Sequence, residues 1–236
     1  MARPLPLAAV EGRPSEITAL HARIVACRAC ETAGFVPAAR PLRHPWAEGQ
    51  RTMIVGQAPG AQTEAKRFHF AGPGGVLLGR WMARAGYDPE HWREQCYITS
   101  LTRCFPGKAP RGRGDRKPSP AELTLCRPFL VAELDLVRPR AIALVGGMAI
   151  EAFLGPGRLE DVIGRRFERN GVIMLPLPHP SGVSRWLNEP AHQELLVRAL
   201  ELLADCRRAW TAEEESHTTA NTARIEHTMG ARGALE

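Results

Sequence analysis

Four short apolar runs, separated by segments of helical character, constrain this chain more than any other feature. They are "RTMIVG", "CYITSLTRC", "AIALVGG" and "VIMLPLP". Continuous apolar runs of this length are typical of strands buried on both faces, which is the parallel-sheet pattern. Between them lie helix signals. "SEITALHARIVAC" has helical spacing behind Ser15 as an N-cap, and a second helix is expected over 76–85. "SPAEL" carries Ser119 as N-cap, Pro120 at the first helical position and Glu122 where a capping box requires it, so a helix is predicted to about Val137. "MAIEAFLG" reads as a short helix closed by Gly155, and "AHQELLVRALELLADCRR" as a last helix. The alternation predicts an α/β fold with a mostly parallel central sheet flanked by helices on both faces.

A chain of 236 residues with 44% hydrophobic residues suits one full-sized core. The expected organisation is a flexible N-terminus (1–14), a single domain (15–210) and a flexible C-terminal tail (211–236), because the apolar period ends near Thr211. No apolar run approaches the roughly 18 residues of a spanning helix, and the amino terminus lacks a signal-peptide core. A soluble, cytoplasmic, monomeric protein with no membrane partner is expected. The net charge of +6 suits a polyanionic partner.

Six cysteines in such a chain argue for ligation or burial rather than a disulfide framework. Cys27 and Cys30 form the C-x-x-C pair "CRAC", while Cys104 and Cys126 flank the basic stretch "FPGKAPRGRGDRKPSPAELTL". Two thiolates on one turn and two distant ones complete a four-coordinate set for zinc or for an iron-sulfur cluster. Cys96 and Cys206 read as small core residues.

In open α/β sheets ligands sit beyond the carboxyl ends of the strands. There the sequence places "GQAPG" (Gly56, Gln57, Ala58, Pro59, Gly60), Ser100 at the end of its strand, and "HPSG" from His179. Each alone is an ordinary turn. Together with "FAGPGGVLL" from Phe70, "YITSLTRC" and the four cysteines, in this order, they resemble the iron-sulfur-cluster uracil-DNA glycosylases of the family 4 and 5 type. The resemblance runs from Cys27 to Arg207.

It implies a three-layer glycosylase fold, a structural [4Fe-4S] cluster on Cys27, Cys30, Cys104 and Cys126, and DNA containing uracil or abasic sites as partner. The enzyme it implies is a monofunctional glycosylase that flips uracil, and other deaminated bases, out of DNA and hydrolyses the glycosidic bond. Within that reading Phe70, rather than the packing residue Phe68, stacks on the base, and His179 donates to uracil O2 as charge builds on the leaving group. Pro178 and Pro180 stiffen its loop. Ser181 and the residues after it meet the DNA, with Arg185 as the wedge and Val183 second. Lys108, Arg111, Arg113 and Arg116 contact phosphates.

Two departures from the resemblance stand out. Gln57 occupies the position of an acid that orients water, with Glu64 and His69 as nearby substitutes, and Ser100 that of an asparagine that reads the base edge. Both point to a slower or broader enzyme. The alternative they favour is a weakly catalytic or non-catalytic protein that protects uracil or abasic sites.

Overall fold

The computed structural model describes residues 14–110, 114–181 and 185–232, with side chains through Ala212. The chain opens with α1 (Pro14–Ala26) and α2 (Ala29–Thr32), then β1 (Thr52–Gly56), α3 (Ala61–Lys66) and α4 (Pro73–Arg84). Next come α5 (Trp92–Gln95), β2 (Cys96–Ser100), α6 (Pro120–Val137), β3 (Ala141–Val145) and α7 (Gly147–Leu154). It closes with α8 (Leu159–Val162), β4 (Phe167–Arg169), β5 (Val172–Leu177), a 3-10 turn (Arg185–Asn188) and α9 (Pro190–Arg232).

The five strands form one sheet in the order β2-β1-β3-β5-β4, parallel except for the antiparallel β4. Every residue of β1, β2 and β3 is buried, as strands covered on both faces must be. Around the sheet α9 packs with α4, and α1 with α6. The α/β architecture expected from the alternation is present.

Local signals act as expected at α6, where Ser119 and Glu122 form a complete capping box behind Pro120. Elsewhere the boundaries differ. Ser15 lies inside α1, which already includes Pro14, so it is not the N-cap. α4 begins at Pro73, three residues before the expected start, because "PGG" masks a helical turn that Pro73 initiates. The helical backbone of α9 continues past Thr211 to Arg232. Among the described residues no helix is long and apolar enough to cross a membrane.

Candidate active site

The register of the sheet brings two motif ends side by side. Gly56 and Ser100 are Cα partners at the carboxyl ends of the parallel strands β1 and β2, so their side-chain directions share one face. Over that face lies Phe70, whose Cζ stands 3.3 Å from where a β-carbon on Gly56 would be. Phe70 adopts the left-handed backbone (φ 54°), which costs a bulky residue about 1–3 kcal/mol. The Arg93 guanidinium holds it there, donating to the carbonyls of Phe70 (2.9 Å) and His69 (3.2 Å). Phe68, by contrast, is exposed rather than packed, with Arg93 against its ring.

The "HPS" loop closes the same corner. A β-carbon on Gly74, in the first turn of α4, would stand 2.6 Å from the Pro180 carbonyl, and one on Gly146 would stand 3.1 Å from His179 Cδ2. Gly146 ends β3 at φ 90°, so both its conformation and the approach of the imidazole require glycine. His179 keeps solvent access on its open side, while desolvation by its neighbours lowers its pKa. The shift favours the neutral imidazole, which has one N–H to donate. The Ser181 amide donates to the His179 carbonyl (2.9 Å), which fixes the turn.

Ser100 is buried, and its hydroxyl donates to the Thr102 carbonyl at 2.7 Å. A carbonyl only accepts, so the proton is spent and Oγ offers lone pairs alone. Beneath it, Arg103 donates from its guanidinium to the Ser100 carbonyl and to Glu133, and all three residues are buried. Glu133 also accepts from Thr99 (2.7 Å) and Tyr97 (3.1 Å). Because Tyr97 gives its proton to Glu133, His21 must be the donor in the 2.9 Å contact with the Tyr97 hydroxyl. This ionic network supports the end of β2 and has no counterpart in the motif reading.

Gln57, Ala58 and Gly60 are half-buried and Pro59 is buried. Of the two substitutes for the missing acid, Glu64 pairs with Arg40 and Arg67, each at 3.3 Å. His69 is buried, and burial followed by the nearby His44 and Arg103 holds it well below the ordinary histidine range. The carboxylate that does touch this loop is Asp115, whose Oδ2 accepts from the Ala61 amide at 3.0 Å. In the sequence it is one acid in a run of arginines, and only tertiary structure shows its partner.

The four cysteines gather at one end of α6. Cys30 and Cys104 share a small apolar cluster with Val36 and Ala39, and the Cys126 sulfur accepts from the Arg103 amide at 3.2 Å. Burial, followed by neighbouring groups that include Cys126 and Cys27, pushes the Cys30 thiol up to about 11. Burial, then Cys30 and Cys126, pushes Cys104 up to about 12. Thiols that so oppose one another's ionisation are a donor set that a cationic centre relieves. Among the described residues no three His, Cys, Asp or Glu side chains converge as a single-ion site. Cys96 and Cys206 are buried in the main core.

The basic stretch splits into different roles. Arg111, Arg113 and Val183 lie outside the described residues. Lys108 is exposed and pairs with Asp115 at 2.8 Å. Arg116 makes a fork of 2.7 and 2.8 Å with Glu122 and reaches the Phe35 carbonyl at 3.1 Å, so its donors serve the fold. Burial raises the Glu122 pKa, but hydrogen bonds from Arg116 and Ser119 outweigh it and leave the carboxyl below its ordinary value. Arg185 is exposed on the 3-10 turn, which is braced by Trp186 stacked on His192 at 4.2 Å between ring centroids. His192 Nδ1 also donates to the Trp186 carbonyl at 2.7 Å.

A mostly parallel sheet with an aromatic, a hydroxyl and an imidazole at its strand ends is an α/β architecture of the open-sheet type, in which ligands sit at that end. The chain belongs to the uracil DNA glycosylase superfamily, whose family model matches residues 46–204. It is 28% identical over 161 residues to the type-4 uracil-DNA glycosylase of Pyrobaculum aerophilum, covering 67% of this chain and 71% of that protein. It is 30% identical over 132 residues to the type-4 uracil-DNA glycosylase of Archaeoglobus fulgidus, covering 54% and 58%. It is also 27% identical over 165 residues to a DNA polymerase of Bacillus phage SP01, covering 70% of this chain and 17% of the polymerase.

Proposed function

We propose that this protein is a monofunctional uracil-DNA glycosylase of base-excision repair, acting on DNA as a monomer in the cytoplasm through a domain of residues 15–210. The observation that carries the reading is the gathering of Phe70, Ser100 and His179 about the ends of β1, β2 and β3 in a member of this superfamily. A base inside a duplex is out of reach, so the nucleotide flips into this corner at an unstacking cost of about a few kcal/mol. Phe70 stacks on the flipped base. Ser100 Oγ accepts from uracil N3–H, whereas cytosine offers an unprotonated N3 there and is refused. Hypoxanthine and xanthine also carry a ring N–H and meet the same acceptor.

The C1′–N1 bond then breaks and its electron pair leaves on the base. His179 donates to O2 as that charge builds, an effect worth about 10²- to 10³-fold for one preorganised donor. Water adds its oxygen to C1′ and releases its proton to solvent, with Gln57 orienting it by hydrogen bonding without serving as a base. Arg185 and Ser181 face the gap left in the helix, while Lys108, Arg111 and Arg113 meet phosphates. The mutual crowding of Cys27, Cys30, Cys104 and Cys126 supports these four as ligands of a [4Fe-4S] cluster. When bound, the cluster supplies a structural cross-link among α2, the end of β2 and α6.

Incubation with single- and double-stranded uracil-containing oligonucleotides, followed by alkaline cleavage of abasic sites, tests the proposal. Strand scission at the uracil is the expected result. Tight binding to uracil or abasic DNA without scission would replace the enzyme with a lesion-protecting protein, the reading that Gln57 favours.

A further inference from the structure

The loop carrying Gln57 runs into α3, whose N-cap, Gly60, has no side chain to accept from the first helical amides. The acceptor comes from 54 residues away, as Asp115 Oδ2 takes the Ala61 N–H at 3.0 Å. Its other oxygen takes the Lys108 ammonium at 2.8 Å. Lys108 and Asp115 face each other across an antiparallel bridge, flanked by Ala109 N–H to the Gly114 carbonyl (3.1 Å) and Arg116 N–H to the Gly107 carbonyl (3.0 Å). Immediately after Asp115, Arg116 anchors the hairpin to Glu122 and Phe35. The carboxylate is thus fixed by the hairpin that bears it and by the root below.

A second observation concerns Gly60. A β-carbon there would stand 2.8 Å from Asp115 Oδ2 and, apart from its chain neighbours, would meet nothing else within 4 Å among the described residues. Gly60 has φ −89°, which any residue adopts, so what alanine would disturb at this position is Asp115.

We propose that Asp115 is a positioning residue that latches the basic hairpin to the Gln57 loop, so that hairpin contact with the DNA backbone and alignment of the water-orienting loop become one event. The proposal rests on the glycosylase reading for its consequence, but not for the latch itself. Lys108 links the two: its ammonium pairs with Asp115 in the free protein and is exposed, so a phosphate can compete for it. Glu64, the acid nearest in sequence, is tied to arginines, whereas Asp115 bonds the amide that follows the loop.

The test is a double-mutant cycle of Asp115→Ala and Gly60→Ala in the full chain, read by amide hydrogen exchange at Ala61 and by single-turnover excision at saturating DNA. Each single variant is expected to accelerate Ala61 exchange at least tenfold and to slow excision about tenfold, with less than threefold change in affinity for undamaged duplex. The double variant should match Asp115→Ala alone, because the alanine at position 60 then has no carboxylate to displace. Asp115→Asn, which keeps an oxygen for Ala61, should retain most of the protection. Unchanged Ala61 exchange in Asp115→Ala, or multiplying losses in the double variant, would overturn the latch. A wild-type protein inactive on all uracil DNA would instead remove the glycosylase reading, and exchange at Ala61 would still decide the latch. Should Asp115→Ala fail to fold, Gly60→Ala and Asp115→Asn carry the same comparison.

Discussion

The Arg93 guanidinium holds the Phe70 carbonyl at 2.9 Å while Phe70 sits at φ 54°. An aromatic residue in that conformation needs such a hold, since the strain of about 1–3 kcal/mol would otherwise release it. Arg93→Lys retains a cation but loses the planar fork that reaches two carbonyls. Its single-turnover excision should fall roughly five- to 150-fold, the population equivalent of that strain. Affinity for undamaged duplex should stay within about threefold. Equal losses in both measurements would reassign Arg93 to DNA contact.

His179 should act on the rate more than on binding. His179→Ala is expected to lower the single-turnover rate about 10²- to 10³-fold while uracil-DNA affinity changes far less. The lowered pKa adds a pH signature. A depressed value means that the imidazole is already neutral throughout the range above its ordinary 6.5. His179 should therefore add no inflection to the rate between pH 6.5 and 8, and the wild-type profile measured beside the variant checks this.

For the cysteines the expected outcome is spectroscopic. Purified protein should be brown with broad visible absorption, and Cys126→Ser should lose both colour and iron. Stoichiometric zinc without iron in the wild type would exclude the cluster.

Acid should destabilise the fold through its buried histidines. Burial, with Arg43 adding for His21, lowers His21 to about 4, and burial likewise lowers His44 to about 4. A depressed folded pKa means that the unfolded chain binds more protons between about 6.5 and 4, so stability is complete above 6.5 and falls as pH drops through that window. At pH 5 each histidine removes on the order of 2 kcal/mol. His44 Nε2 donates to the Arg93 carbonyl at 2.9 Å, a bond that a glutamine amide can replace. Thermal melts of His44→Gln should show a shallower loss between pH 7 and 5 than wild type. An identical slope would remove His44 from the acid response.

Legibility in the sequence followed the range of the interaction. The strands were readable because burial on both faces leaves mostly apolar residues, with Thr52, Thr99 and Ser100 as the exceptions in β1 and β2, and α6 because Ser119, Pro120 and Glu122 act within one turn. β4 was not readable, since "FER" is three residues with a charge on each side of its only polar-free position and pairs through backbone alone. The motif ends were visible as turns. What supports them was not: Arg93 under Phe70, Glu133 under Ser100 and Asp115 against Gly60 each depend on a partner 23 or more residues away. A charged side chain in a sequence gives no sign of whether it faces water or a carbonyl. Arg116 illustrates the cost, since a run of basic residues suggested phosphate contact where the fold uses it to bind Glu122.

Arg103 gives its amide to the sulfur of Cys126 and its guanidinium to the carbonyl of Ser100. Cys126 and the end of β2 that carries Ser100 thus hang on one residue. A change at Cys126 therefore reaches the end of β2 through the backbone of Arg103, although the two cysteine-bearing segments are far apart in the chain.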